Sequence, residues 1–126
     1  MPSTTIADVR TVGINVTDQD TAVRFFVDTL GFEKRLDAPI SPTMRWIEVA
    51  APGATTSIAL NLATGGPHAG ADTGVRFTVP DAAVEHATMS RHGVEVSELI
   101  LWEGVPPMFS FSDPDGNRFY IVEDQP

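Results

Sequence analysis

Residues 12–33 read VGINVTDQDTAVRFFVDTLGFE and residues 74–96 read GVRFTVPDAAVEHATMSRHGVEV, so that Asp18 matches Asp81 at an offset of half the 126-residue chain. Each stretch is an alternating strand, an acidic turn, an amphipathic segment of about three turns and a glycine that ends it. In the first, Val12, Ile14 and Val16 alternate with Thr11, Gly13 and Asn15, which gives a strand with one apolar face. Thr17 or Asp18 caps a helix on which Ala22, Val23, Phe26 and Leu30 fall at helical spacing, and Gly31 stops it.

Outward from this pair, three strands are expected after the first helix: near Glu33 to Leu36, Met44 to Ala50, and Thr56 to Leu62, the last two joined by a hairpin loop with Pro52 and Gly53. The aperiodic stretch ATGGPHAGADT, residues 63–73, reads as a linker between halves. The second half repeats the order. A strand at Val75 to Val79 precedes a helix from about Ala82 to His92, capped by Asp81 and stopped by Gly93. Strands follow at Val94 to Ile100, Met108 to Ser112 and Arg118 to Glu123, the last two joined by the turn DPDGN. The fold class is α+β: two tandem βαβββ modules, one about 8–62 and the other about 74–124, in one domain covering 1–126.

Composition narrows the function. A formal charge of −9, with one Lys against seven Arg, opposes a nucleic-acid partner, since phosphate backbones are held by clustered cations. No run approaches the roughly 20 apolar residues of a membrane span, and the first ten residues carry no signal-peptide run. The chain has no Cys, which excludes disulfides and a thiol nucleophile, and a cytoplasmic location is expected.

The strand ending in VTD, the helix ending in TLGFE, the second strand ending in VPD and the closing DPDGNRFYIVE together resemble the vicinal oxygen chelate superfamily, which includes glyoxalase I, extradiol dioxygenases, fosfomycin-resistance enzymes and bleomycin-binding proteins. The resemblance covers almost the whole chain. It implies that the modules curl into an incomplete barrel around a ligand cleft, and that a homodimer brings modules of two subunits together. It also implies a divalent metal held by His, Gln or Glu at four strand positions. Here these positions carry Thr11, Ala59, Gly74 and Tyr120, none a strong ligand, so no metal or other cofactor is expected. His68, His86 and His92 lie in the linker and around the second helix and read as surface or helix-end residues, although His68 could reach a cavity if the linker folds over it. Glu123 reads as a strand-end carboxylate.

Alternation within the implied barrel sorts the side chains. Val12, Ile14, Val16, Ile47, Val49, Ile58, Leu60, Leu62, Val75, Phe77, Val79, Phe109, Phe111, Phe119 and Ile121 form the expected core. The expected cleft lining is Asn15, Trp46, Glu48, Asn61, Arg76, Met108, Arg118 and Tyr120, with Thr11, Thr78 and Ser110 beside them. Such a mix of aromatic, apolar and polar groups suits a small organic ligand. An inward Arg76 needs an anion. Glu48 is the expected partner, and a ligand carboxylate or phosphate is the other. Tyr120 is expected to be hydrogen-bonded to Asn or Ser. Trp46 caps the core edge and Trp102 steadies the loop WEGVPP, unless either stacks on a ligand. Arg24, Asp28, Glu85 and Arg91 read as solvated helix surface.

The function expected is therefore metal-independent binding of an aromatic or anionic small molecule, with no nucleic-acid or membrane partner. The alternative is a glyoxalase-like lyase, isomerase or dioxygenase using a non-standard metal site or Glu48, Arg76 and Tyr120 within hydrogen-bond reach of one another.

Overall fold

The computed structural model describes residues 3–63 and 68–124; Gly65 and Gly66 of the linker lie outside them. The first half runs β1 (Thr11–Val16), α1 (Gln19–Val23) continued by a π-helical segment (Arg24–Thr29), β2 (Glu33–Ser41), β3 (Met44–Ala50) and β4 (Ser57–Leu62). The second runs β5 (Asp72–Val79), α2 (Ala82–Arg91), β6 (Glu95–Val96), β7 (Met108–Ser112) and β8 (Arg118–Glu123). The strands make two four-stranded sheets with equivalent orders, β1-β4-β3-β2 and β5-β8-β7-β6. In each, the first strand pairs in parallel with the last, β1 with β4 and β5 with β8, and the others pair antiparallel. Two separate sheets and, among the described residues, no closed barrel are the expected α+β architecture.

Local chemistry sets the helix ends. Asp18 Oδ1 accepts from the Thr21 amide at 2.9 Å, and Asp81 Oδ1 accepts from the Val84 amide at 3.1 Å, matching N-caps on matching residues. Gly31 and Gly93 follow the two helices at φ +81° and +78°, a conformation that costs glycine little. The first helix differs from the second in its last turns, where the Leu30 amide donates to the Phe25 carbonyl, five residues back. That widened turn lets the adjacent Phe25 and Phe26 both reach the second sheet, with ring centroids 6.4 Å from Phe111 and 5.7 Å from Phe119 respectively.

Phe26, Phe109, Phe111 and Phe119 are fully buried, and the inner faces of both sheets contribute to one hydrophobic cluster. Of the expected core series, Val12, Leu62, Val75 and Phe77 are only half-buried. Because a strand's alternate side chains point to opposite faces, two sheets that share a core turn their other faces away from it.

Three elements depart from the sequence reading. β2 continues past Leu36 to Ser41, because a tight turn at 42–43 pairs Ser41 with Met44; Pro39 is tolerated on this edge strand. The strand expected over Val94 to Ile100 shrinks to Glu95–Val96 plus a single bridge between Ile100 and Met108. There the Ser97 hydroxyl accepts from the Ser110 amide at 2.8 Å, a side chain standing in for the backbone ladder. β5 begins at Asp72, inside the stretch read as linker. Nothing among the described residues is a helix long and apolar enough to cross a membrane.

Candidate functional site

The expected lining residues fall on two faces. Asn15, Trp46, Glu48 and Asn61 belong to the first sheet; Arg76, Met108, Arg118 and Tyr120 belong to the second. Arg76 borders a cavity within the second sheet and another of about 580 Å³ whose further walls include Val12, Thr56 and Ile58 of the first half, and neither takes Asn15, Trp46, Glu48 or Asn61 as a wall.

On the first sheet, register places Thr11 beside Ser57 and Glu48 beside Ala59. Glu48 is only 5% exposed, yet its carboxylate is fully engaged. The Ser57 hydroxyl donates to Oε1 at 2.6 Å, the Trp46 indole Nε1–H donates to Oε2 at 2.7 Å, and Arg10 Nη2 lies 3.5 Å from Oε2. Against the opposing effect of burial, these donors, Ser57 first, hold its pKa below the usual carboxylate range, which favours the ionised form. The network also fixes the indole of Trp46, which stays 37% exposed on the open face. Asn61 packs closely on Gly13, where a Cβ would meet Asn61 Nδ2 at 2.8 Å and the amide end of that side chain would have to shift. Beneath this face, the buried Gln19 amide donates to the carbonyls of Arg45 and Leu60 at 2.9 and 2.8 Å, tying the start of α1 to β3 and β4.

On the second sheet the pattern is open. Tyr120 Oη donates to Asp72 Oδ2 at 2.6 Å, and the Gly74 amide donates to Asp72 Oδ1 at 3.1 Å. The tyrosine hydroxyl, followed by the amide, holds the Asp72 carboxyl below its ordinary range. The Arg76 guanidinium lies 4.7 Å over the Tyr120 ring and donates from Nη1 to the Gly74 carbonyl at 2.8 Å. Among the described residues neither Arg76 nor Arg118 forms an ion pair, whereas Arg10, Lys34, Arg35 and Arg45 all do. Arg76, Met108, Arg118 and Tyr120 wall a cavity of about 310 Å³, with Ile100 and Val122 at its apolar side.

Three expectations are corrected by this geometry. Arg76 does not pair with Glu48: the two belong to different sheets, and the carboxylate is spent on Ser57, Trp46 and Arg10. Tyr120 bonds to Asp72, not to Asn or Ser. Glu48, Arg76 and Tyr120 are not brought together as a catalytic group, since no hydrogen bond joins Glu48 to the other two. Alternation shows which face a residue takes but not which sheet opposes it, and that is why the pairing was misread. Trp102 is 69% exposed and does not bury itself against its own loop.

Ser57, Asp72 and Arg10 were missed. Asp72 lay in apparent linker, and Ser57 was signalled only by its place opposite Thr11. Glu123 is more than a strand-end carboxylate, because Oε1 accepts from the Ala82 amide at 3.1 Å at the start of α2. His86 contacts the Ser97 carbonyl at 2.8 Å and packs edge-on against Phe109; His68 is exposed. The DPDGN turn joins the halves. Asn117 accepts from the Gly70 and Ala71 amides and donates to the Asn15 carbonyl at 2.9 Å, while the Thr17 hydroxyl donates to Asp115 at 2.6 Å.

The four positions implied as metal ligands do not fit a divalent ion. Ala59 and Gly74 carry no donor, the Thr11 hydroxyl is turned to the Ser57 carbonyl at 3.2 Å, and the Tyr120 hydroxyl is committed to Asp72 beneath a guanidinium. No cluster of three or more His, Asp or Glu among the described residues could replace them.

Comparison with known proteins agrees with this fold. A crystal structure of a glyoxalase/bleomycin resistance protein/dioxygenase superfamily member from Sphaerobacter thermophilus DSM 20745 superimposes with a TM-score of 0.88 at 37% identity, covering 94% of this chain and 98% of that one. TnmS3, an antibiotic binding protein from Streptomyces sp. CB03234, superimposes with a TM-score of 0.87 at 30% identity, covering 97% and 99%. The uncharacterised protein YetH of Bacillus subtilis (strain 168) is 29% identical over 124 residues, 94% of this chain and 99% of that one. The model of the Glyoxalase/Bleomycin resistance protein/Dioxygenase superfamily matches residues 8–121, and the chain belongs to that superfamily.

Proposed function

We propose that this protein binds a small, flat organic molecule carrying an acidic group, without a metal, in a cleft that a second copy completes. The observation that carries the reading is the open second sheet. Two guanidiniums that make no direct ion pair among the described residues, with the Asp72 carboxylate nearby and bonded to Tyr120, border an apolar cavity with an aromatic floor, in a chain whose net charge is −9. A guanidinium fork matches a carboxylate or phosphate, and Tyr120 and Met108 supply apolar area for a ring system. Antibiotic binding by TnmS3, 30% identical over nearly the full chain, supports small-molecule binding as the activity.

The arrangement of the faces supports the second copy. Trp46 and Arg76 lie on faces that both turn away from the shared core, so a cleft walled by both needs the first sheet of one subunit opposite the second sheet of another. Trp46, held by Glu48, is then a preset wall for the ligand's ring. With no cysteine and no membrane-spanning helix among the described residues, the cytoplasm is the expected place of action.

Naphthalene-2-carboxylate and its amide, titrated against tryptophan fluorescence, test the reading. The carboxylate should bind at least about tenfold more tightly than the amide, and Arg76→Ala should abolish that difference while leaving thermal stability unchanged. Equal affinity for the two probes, or full carboxylate preference in Arg76→Ala, defeats the proposal.

A further inference from the structure

Another cavity lies where the two helices end, walled on one side by Phe77, Phe111 and Ile121 of the second sheet, and we propose that it takes up a small organic cation of the quaternary ammonium kind. Its volume is about 260 Å³, against the roughly 150 Å³ that suffices for a benzene molecule in an apolar protein cavity. Phe32 and Phe77 form two of its walls, with ring centroids 5.5 Å apart and planes at 89°, and Phe111 lies beneath them, nearly parallel to Phe77 at 6.3 Å. Phe32 and Phe77 are half-buried, so part of each ring is open to an occupant. Phe32 meets Phe77 edge to face and Phe77 also stacks on Phe119 at 5.9 Å, so part of each ring is taken up by neighbours, and the ring area left open at the rim is where a methylated ammonium ion would rest.

The charges around the cavity point the same way. Glu85, from the side of α2, lines it half-buried, and its carboxylate makes no ion pair among the described residues. That position is not the freely solvated helix surface the sequence suggests. Leu30, at the end of the first helix, and His92, at the C-cap of α2, also line the wall. Helix C-termini carry partial negative charge and favour cations nearby. No Lys or Arg reaches the wall. The contrast with the cavity bordered by Arg76 and Arg118 is complete: one is built to meet an anion, the other a cation, and the net charge of −9 draws cations toward the surface in general.

Choline and its uncharged isostere 3,3-dimethylbutan-1-ol separate charge recognition from simple apolar filling. In NMR titrations of the full chain, choline should shift the Met89 methyl and the Phe32 and Phe77 ring signals saturably, and the alcohol should bind about tenfold more weakly or less. Glu85→Gln should reduce choline affinity about tenfold and leave naphthalene-2-carboxylate binding at the other cavity unchanged. Equal affinity for the two isosteres, choline binding untouched by Glu85→Gln, or the absence of saturable shifts at these residues overturns the proposal. Because the two cavities are assayed with different probes, failure here leaves the carboxylate result standing, and the reverse.

Discussion

The two halves of this chain have the same order of elements and the same caps, Asp18 with Gly31 and Asp81 with Gly93, but they spend their polar side chains differently. On the first sheet Glu48 is buried and closed off by Ser57, Trp46 and Arg10; on the second, at the corresponding open face, Arg76 and Arg118 make no direct ion pair among the described residues, and Asp72, the carboxylate nearby, is bonded to Tyr120. Repetition fixes where a side chain points, and each copy then decides whether the face is sealed or left available. A buried charge is tolerated only when it is paired, so the sealed face is a structural feature; an exposed cation keeps its hydration and its freedom to meet a ligand.

The largest difference between the halves should appear in the helices. Phe26 and Met89 occupy matching places in the repeat, and both are buried, but Phe26 alone lies between the sheets, edge-on to Phe119 at 5.7 Å. Phe26→Ala is expected to cost about 3–5 kcal/mol in urea unfolding, and Met89→Ala nearer about 2 kcal/mol because its site borders a cavity that already exists. Equal losses would mean that the π-helical turn contributes nothing to joining the two sheets.

The sealed and open faces themselves come next. Glu48→Leu leaves the Ser57 hydroxyl and the Trp46 indole without their acceptor and should destabilise by about 1–3 kcal/mol. Asp72→Ala, on the exposed face, should change stability by roughly 0.5 kcal/mol or less. Acidity gives a second handle on Glu48. Its folded-state pKa is lowered, chiefly by the Ser57 hydrogen bond, so its stabilisation is present above the unfolded carboxylate pKa and is lost as pH falls through the folded one. Glu48→Gln should therefore flatten the acid limb of the stability curve while leaving its neutral region closer to that of the parent than Glu48→Leu does.

Much of this could be read from residues alone. Alternation at Val12, Ile14 and Val16 and at Phe119 and Ile121 assigned faces correctly, and the offset between Asp18 and Asp81 exposed two modules. Period two says nothing of sheet-to-sheet geometry, however, and the expected Arg76–Glu48 pair failed for that reason. The π-helical turn has no sequence signal of its own, since Phe25 and Phe26 read equally well on a regular helix. Asp72 and Glu85 were misplaced because polar residues in apparent linker or on a helix surface look solvated until tertiary packing puts a partner or a cavity beside them.

The finest test of the comparison asks whether the open and sealed faces meet across a dimer. If each cleft takes Trp46 from one subunit and Arg76 from the other, Trp46→Ala and Arg76→Ala homodimers each carry two damaged clefts. A mixed dimer carries both lesions in one cleft and none in the other. Mixing the two variants after reversible unfolding should then restore carboxylate binding to about one site per mixed dimer, at the parent's affinity. If both walls of the cleft came from the same chain, every cleft in the mixture would retain one lesion and no full-affinity site would return. Because Trp46→Ala also takes a donor from the buried Glu48, the urea midpoint of each variant is measured alongside, and the regained stoichiometry of folded mixed dimer reports on the geometry.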